Sequence, residues 1–342
     1  IEMMLNSFYY SLIISNFNLL SKILLSIIVL MVGELITGCV FTYPSYPFFQ
    51  DVEEFRDTPA WELALAIYDD DPDRIMELLT NDTSLINYKE KRYNHSPLQM
   101  AAGLAKPKAT ETLLNFGADP NHHSKNGFFP ILDAIENSWS ITVDGITKIH
   151  GDDDNSRKTL SILLNHGADP NNKFEPEKNT PPFEGCLADN PSSLIFALDY
   201  RCDFEMVKML VEHGADINYK TPSGMTAAIK ALQGNYIYIA HYLIVQYDAD
   251  ITGIYYDFKS ERRGPFVSNE IDFSSPQYPV DLLLDLVYEN GTPEKRMKDE
   301  IIKAFMDKGI DYHKRKDRIT SETLDIIKST HPSDWKEYIK TY

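Results

Sequence analysis

Apolar residues recur along this chain in short helical bursts, and the bursts end alike. Leu113-Leu114, Leu163-Leu164, Leu210-Val211, Ile244-Val245 and Phe305-Met306 each sit three and four residues ahead of a Gly, or of an Asp in its place. The turns that follow are near copies. They read Asn115-Phe116-Gly117-Ala118-Asp119-Pro120-Asn121, Asn165-His166-Gly167-Ala168-Asp169-Pro170-Asn171 and Glu212-His213-Gly214-Ala215-Asp216-Ile217-Asn218. Weaker versions run from Gln246 to Ile251 and from Asp307 to Tyr312. The pattern predicts an amphipathic helix that ends on a residue at positive φ, the conformation Gly adopts most cheaply. A turn rebuilt at intervals is the mark of a stacked repeat.

Matching starts lie upstream. Ser96-Pro97-Leu98-Gln99-Met100-Ala101 precedes the first turn, Ser192-Ser193-Leu194-Ile195-Phe196-Ala197 the third, and Ser223-Gly224-Met225-Thr226-Ala227-Ala228 the fourth. A hydroxyl there caps a helix and Pro suits its first turn. These starts resemble the Thr-Pro-Leu-His-x-Ala opening of the ankyrin repeat, a 33-residue turn plus two helices. The resemblance implies an all-α ankyrin-repeat solenoid of about six repeats over residues 58–318, with enlarged fingers and helical caps. Residues 319–342 form the C-terminal cap. The first repeat has Trp61, Leu63, Leu65 and Ile67 in one helix and Ile75, Leu78 and Leu79 in the next. It lacks the usual opening, as a terminal repeat does when one face meets water.

The spacing then stretches. Gly117 to Gly167 is 50 residues, Gly167 to Gly214 is 47, Gly214 to Asp248 is 34 and Asp248 to Gly309 is 61. The surplus over the 33-residue period falls in three places. Residues 137–155 insert between two helices, while 173–190 and 253–277 enlarge the fingers between repeats. By the resemblance, fingers and first helices line the concave side on which such proteins bind partners. The two fingers carry Phe174, Phe183, Glu184, Tyr255, Tyr256, Phe258, Arg262, Arg263, Phe266 and Phe273. Aromatics and Arg are the types that anchor interfaces, so these residues are the candidate partner contacts. The competing reading folds the same rings back as a small core beneath a long loop.

The N-terminus differs in kind. Lys22 is followed by the largely apolar run Ile23–Val32 and then by Leu35-Ile36-Thr37-Gly38-Cys39. An apolar core of about ten residues is of signal-peptide length. Small residues directly before Cys39 resemble the bacterial lipobox, which implies a signal peptide over 1–38, lipidation of Cys39 and a Pro- and aromatic-rich tether over 39–57. By the same resemblance, Val40 after the Cys favours the outer membrane, facing the periplasm. The alternative is an uncleaved anchor, since Leu12–Val40 is long enough to span a bilayer. Either reading puts the body of the chain outside the cytoplasm.

Charge narrows the partners. A net charge of −18 argues against nucleic acid and against contact with an anionic membrane beyond the lipid anchor. It favours a protein partner with a basic face. The basic cluster Lys314–Arg318 reads as a solvated helix end. No nucleophile elbow, phosphate loop or paired Cys-x-x-Cys is present, so an enzyme, a cofactor or a metal is not expected. His166 and His213 share a turn position, His122 and His123 fall on a finger, and His241 is expected to pack within a helix. Asp144, His150 and the run Asp152–Asp154 are the nearest thing to a metal set, read here as a solvated loop. Cys186 and Cys202 are candidates for a disulfide in an oxidising compartment, against which stands their place at opposite ends of a short helix. The chain is thus expected to be a non-catalytic protein-binding module, monomeric when free. By resemblance its sharper form is an immunity protein that neutralises a secreted antibacterial effector such as a phospholipase. The alternative is a periplasmic scaffold or stress-protection protein bound to a housekeeping envelope protein.

Overall fold

The computed structural model describes residues 52–136, 142–143, 146–147, 153–177, 189–200, 203–258, 262–263, 266–267 and 271–341. The chain is mostly helical. A 3-10 turn, Val52–Phe55, leads into α1 (Trp61–Tyr68) and α2 (Pro72–Asn81). The next helices are α3 (Pro97–Gly103), α4 (Pro107–Asn115), α5 (Pro130–Glu136) and α6 (Asp153–Asn165). Then come α7 (Ser193–Tyr200), α8 (Phe204–Glu212), α9 (Ala227–Gln233) and α10 (Ile237–His241), the last running on as a π turn, Tyr242–Gln246. After α11 (Pro279–Leu282) and α12 (Pro293–Asp307), the 3-10 segment Tyr312–Arg318 precedes α13 (Ser321–Thr330) and α14 (Trp335–Thr341).

The helices pack in two rows. In one, α1, α3, α5, α7, α9 and α11 each lie against the next; in the other, α2, α4, α6 and α8 do the same, and α10 lies against α12. Each first helix also packs on the second helix of its own pair from α1–α2 through α9–α10. Between α8 and α10 the link includes Phe204 and Tyr242, whose rings meet edge-on at 5.3 Å. The first helices are short, and those of the middle pairs are buried almost all round, as their runs of Leu, Ile, Phe and Ala require.

Local chemistry sets the ends. Ser96 and Gln99 form a reciprocal capping box at the start of α3, with Pro97 in its first turn. Thr226 caps α9, and Asp71 and Asp203 cap α2 and α8. Such caps are worth about 1 kcal/mol each. At the other end, Gly117, Gly167, Gly214 and Gly309 take φ of +90°, +87°, +89° and +82°. Ala118 N–H donates to Leu113 C=O and Gly117 N–H to Leu114 C=O, the two-bond helix stop, which repeats at Gly167, Gly214 and Gly309.

The weaker copy departs from this register. Ala249 N–H reaches back to Leu243 C=O, one residue further than in the other turns, because Tyr242–Gln246 winds as a π turn. The apolar pair there is therefore Leu243 and Ile244, 0% and 2% exposed, while Val245 is 38% exposed. This corrects the expected pair Ile244-Val245. It also accounts for the 34-residue spacing from Gly214 to Asp248, since the extra residue is absorbed inside a helix.

The turns are tied to one another by asparagine. Asn87, Asn121, Asn171 and Asn218 each accept from the backbone N–H of the next turn's Asp, that is Asp119, Asp169, Asp216 and Asp250. Asn121 and Asn171 also donate to Gly167 C=O and Gly214 C=O. The Asn conserves nothing of its own turn's shape by this; it fixes the spacing between neighbouring pairs.

The inserts add strands that an all-α reading left out. Residues 137–155 contain β1 (Thr142–Val143) and β2 (Ile146–Thr147), antiparallel, and α6 begins within the insert, at Asp153. The later insert contains β3 (Tyr255–Phe258), β4 (Arg262–Arg263), β5 (Phe266–Val267) and β6 (Ile271–Gln277). β3 pairs with β6 and β4 with β5, both antiparallel.

The C-terminal helices close the last pair. Thr320 caps α13, and Thr323 Oγ1 donates to Asp285 at 2.6 Å. Tyr338 in α14 donates to Tyr288 C=O at 2.9 Å and stacks on His331. The basic cluster is not a solvated end. Arg315 grips Asp281 of α11 with two bonds of 2.6 Å, and Arg318 adds a third at 2.8 Å. Two guanidinium groups on one carboxylate fasten the 3-10 segment to α11. No helix among the described residues is long and apolar enough to cross a membrane, and the expectations at Cys39, Cys186 and Cys202 lie outside those residues.

Candidate functional site

The two aromatic fingers are rooted differently from how their composition reads. In the first, Phe174 N–H donates to Pro191 C=O at 3.1 Å beside an isolated antiparallel bridge between Lys173 and Ser192. That pins the finger's base, and the Phe174 ring goes inward. It is fully buried, edge-on to Phe128 at 5.4 Å, and Phe128 in turn meets Phe196 of α7 edge-on at 6.0 Å. Phe174 is therefore core and not a partner contact, which corrects the expectation for it. The backbone packs just as closely: a Cβ on Gly127 would meet Pro176 N at 2.7 Å, and Glu177 N–H donates to Lys125 C=O. Phe183 and Glu184 lie outside the described residues.

The second finger splits its rings between two faces. Tyr255 lies opposite Gln277 and Tyr256 opposite Pro276, with a register shift before Phe258 and Ile271. Successive strand residues point to opposite faces. Tyr255 turns inward, 4% exposed, onto Met225 and Ile229 at the start of α9, with Leu282 alongside. It too is core, against expectation. Burial pushes its phenol well above the usual tyrosine range. Tyr256 turns the other way and packs edge-on against Phe273 at 5.1 Å. Phe273 is 63% exposed. Ile254 and Tyr278, which flank the two strands, are exposed large hydrophobics that the sequence reading passed over. Their positions beside strand ends, rather than any motif, were the available signal. Arg262 lies opposite Val267 and Arg263 opposite Phe266 in the β4–β5 pair. The side chains of Phe258, Arg262, Arg263 and Phe266 fall outside the described part of the structure.

The root of this finger is firm. Tyr256 N–H donates to Ser223 C=O at 2.8 Å, and Ser223 N–H donates to Asp189 at 2.9 Å. Gly224, at φ +83°, leaves its missing Cβ 2.5 Å from Ile254 C=O, so the two loops touch through backbone. An open depression of about 250 Å³ lies between the C-terminal ends of α7 and α9, lined by Leu198, Asp199, Lys230, Gln233, Gly234 and Tyr236. The Asp199–Lys230 ion pair spans it.

The surface along the turns is acidic. Asp119, Asp169, Asp216, Asp250 and Asp311 each use one carboxylate oxygen to hold the N–H two residues on. Lys220 and Thr252 together hold the Asp250 carboxyl well below its usual range. Four of the described histidines make local structural contacts. His166 and His213 turn Nδ1 to the carbonyls four residues back, at 2.9 and 2.7 Å, as turn residues should. His122 Nε2 sits 2.8 Å from Asn94 C=O, and burial lowers its pKa. His241 reaches across to Glu300 of α12 at 2.6 Å rather than packing within its helix. Asp144, His150 and Asp152 lie outside the described residues; Asp153 and Asp154 open α6.

Residues 194–244 match the family model of ankyrin repeats (many copies), a stretch that runs from α7 to the π turn after α10. The match supports an ankyrin-repeat protein. No curated protein matches the chain. Ankyrin repeats are in general protein-binding modules without a catalytic step, and they imply a protein partner.

Proposed function

We propose that this chain is an array of about six ankyrin repeats that binds one protein partner, held in a bacterial envelope by a lipid on Cys39 and facing the periplasm. The observation that carries the binding reading is Phe273, 63% exposed and braced by Tyr256 on a finger whose base is locked into the array. An aromatic presented to solvent on a rigid root costs little ordering entropy when a partner covers it. The net charge of −18 supports a partner with a basic face. In its sharper form the partner is a secreted antibacterial effector, such as a phospholipase, and the chain is the immunity protein that neutralises it.

The test is capture from the secreted proteins of the same strain on immobilised residues 40–342, beside the double variant Tyr256→Ala/Phe273→Ala. A single stoichiometric secreted partner, held at least tenfold more weakly by the double variant, supports the proposal. Capture of only housekeeping envelope proteins, equal for both forms, would replace it with a scaffold. The anchor is tested separately, by incorporation of labelled fatty acid that Cys39→Ala abolishes.

A further inference from the structure

Glu54, Glu90 and His95 form a second assembly, independent of the finger. Glu54 belongs to the 3-10 turn before α1, while Glu90 and His95 lie in the loop leading into α3. They put one ligand-type atom each within 4.8 Å of one another. His95 Nδ1 is 3.1 Å from Glu54 Oε2 and 3.6 Å from Glu90 Oε1. Ligands about 2.0–2.2 Å from a tetrahedral zinc ion stand roughly 3.3–3.6 Å apart, and the two His95 separations fall close to that range. The side chains of Glu90 and His95 are 2% exposed and that of Glu54 is 15%, which leaves an entry on the Glu54 side.

The other ring nitrogen decides what the assembly wants. His95 Nε2 faces Asn126 Oδ1 at 3.4 Å, an oxygen that also accepts from the Ser124 hydroxyl. An amide oxygen only accepts, so the hydrogen of a neutral ring belongs on Nε2. Nδ1 then turns a lone pair toward two carboxylates. Three ligand-type atoms thus converge where a proton or a metal ion can bridge them.

One further observation bears on the metal. Glu90 is held in place by backbone N–H groups, that of Arg92 on Oε2 and those of Tyr93 and His95 on Oε1, as ligating carboxylates are oriented by their surroundings.

The geometry points to Glu54, Glu90 and His95 as a binding site for one divalent ion of the zinc class, bound by His95 Nδ1 and a carboxylate oxygen from each Glu. The ion would clamp the 3-10 turn at the N-terminal end of the array to the loop before α3.

The experiment uses the full chain, stripped with chelator and titrated with zinc by calorimetry, with thermal melting and limited proteolysis alongside. One equivalent of zinc is expected, together with a higher melting temperature and slower cleavage around residues 52–57. Glu54→Gln keeps size and sits at the partly exposed edge, so the fold stays intact and zinc affinity falls at least tenfold. His95→Gln abolishes binding, but the Glu54 variant carries the test should that one misfold. Absence of zinc binding by the native chain would overturn the proposal and leave the assembly an ion pair around a proton. Equal affinity in native protein and Glu54→Gln would overturn it too, by placing any ion elsewhere.

Discussion

Phe174→Ala separates a finger that binds from a finger that packs. The ring is fully buried, edge-on to Phe128, in a row that continues to Phe196 of α7. Emptying such a site costs about 3–5 kcal/mol, of which the edge-on ring contact supplies roughly 0.5–1.5. For an array of this size that lowers the melting temperature by roughly 6–20 °C. The effect should be uneven. Among the described residues the helix pairs pack chiefly on their neighbours, so the loss concentrates around α5, α6 and α7, and amides there should lose hydrogen-exchange protection before those of α12. The assays are thermal melting by circular dichroism, residue-resolved hydrogen exchange, and partner capture at a temperature where the variant is still folded. The expected result is a large drop in stability with capture unchanged per folded molecule. The same experiment on Phe273→Ala should give the mirror image: stability within about 0.5 kcal/mol and capture reduced. If Phe174→Ala melted like the parent yet lost its partner, the assignment of that ring to the core would be wrong.

Three more outcomes follow from particular contacts. Lys298 of α12 is buried, its ammonium donating to Leu286 C=O at 2.7 Å, and burial holds its pKa well below the usual lysine value. The unfolded chain therefore binds more protons, so stability rises with pH toward the ordinary lysine value near about 10.4, by up to about 1.4 kcal/mol per pH unit, and is lost as pH falls. Lys298→Met should flatten that rise in denaturant titrations across the alkaline range; parallel curves would sink the idea. Asn121→Ala removes bonds to Asp169 N–H, Gly167 C=O and Asn172, two of them exposed and the last part-buried, a loss of about 1.5–4.5 kcal/mol read as a shift in denaturant midpoint. A shift indistinguishable from zero would mean water replaces the asparagine ladder at no cost. Gly224→Ala forces a Cβ against Ile254 C=O at positive φ, and should loosen the β3–β6 finger, seen as faster exchange at Tyr256 N–H while α1 to α6 stay protected.

Much of the architecture was legible without coordinates because its causes are local. A helix that stops in a two-bond turn places a residue at positive φ, so Gly117, Gly167, Gly214 and Gly309 announce four helix ends. A helix that must start needs its N–H groups capped, so Ser96 with Gln99 announces another. Both requirements are met within six residues of chain, and the sequence alone determines them. The one-residue surplus before Asp248 was visible as a number, but only the structure shows it spent inside a helix as a π turn, which moves the buried pair to Leu243 and Ile244.

What tertiary structure decided is which face each side chain meets. Phe174, Tyr255 and Phe273 are alike in composition and in finger context. One lies on Phe128, one on Met225 and Ile229, and one in solvent, because the finger bases are pinned by Pro191 and Ser223, residues far from the rings in any local pattern. The same holds for the charges. Arg315 and Arg318 read as a solvated cluster until α11 brings Asp281 beneath them, and Glu54 meets His95 only once α1 is stacked on α3. Local sequence fixes where the chain turns, since a turn is paid for by its own few residues. Burial and charge pairing depend on neighbours that arrive from another repeat, and those the fold alone supplies.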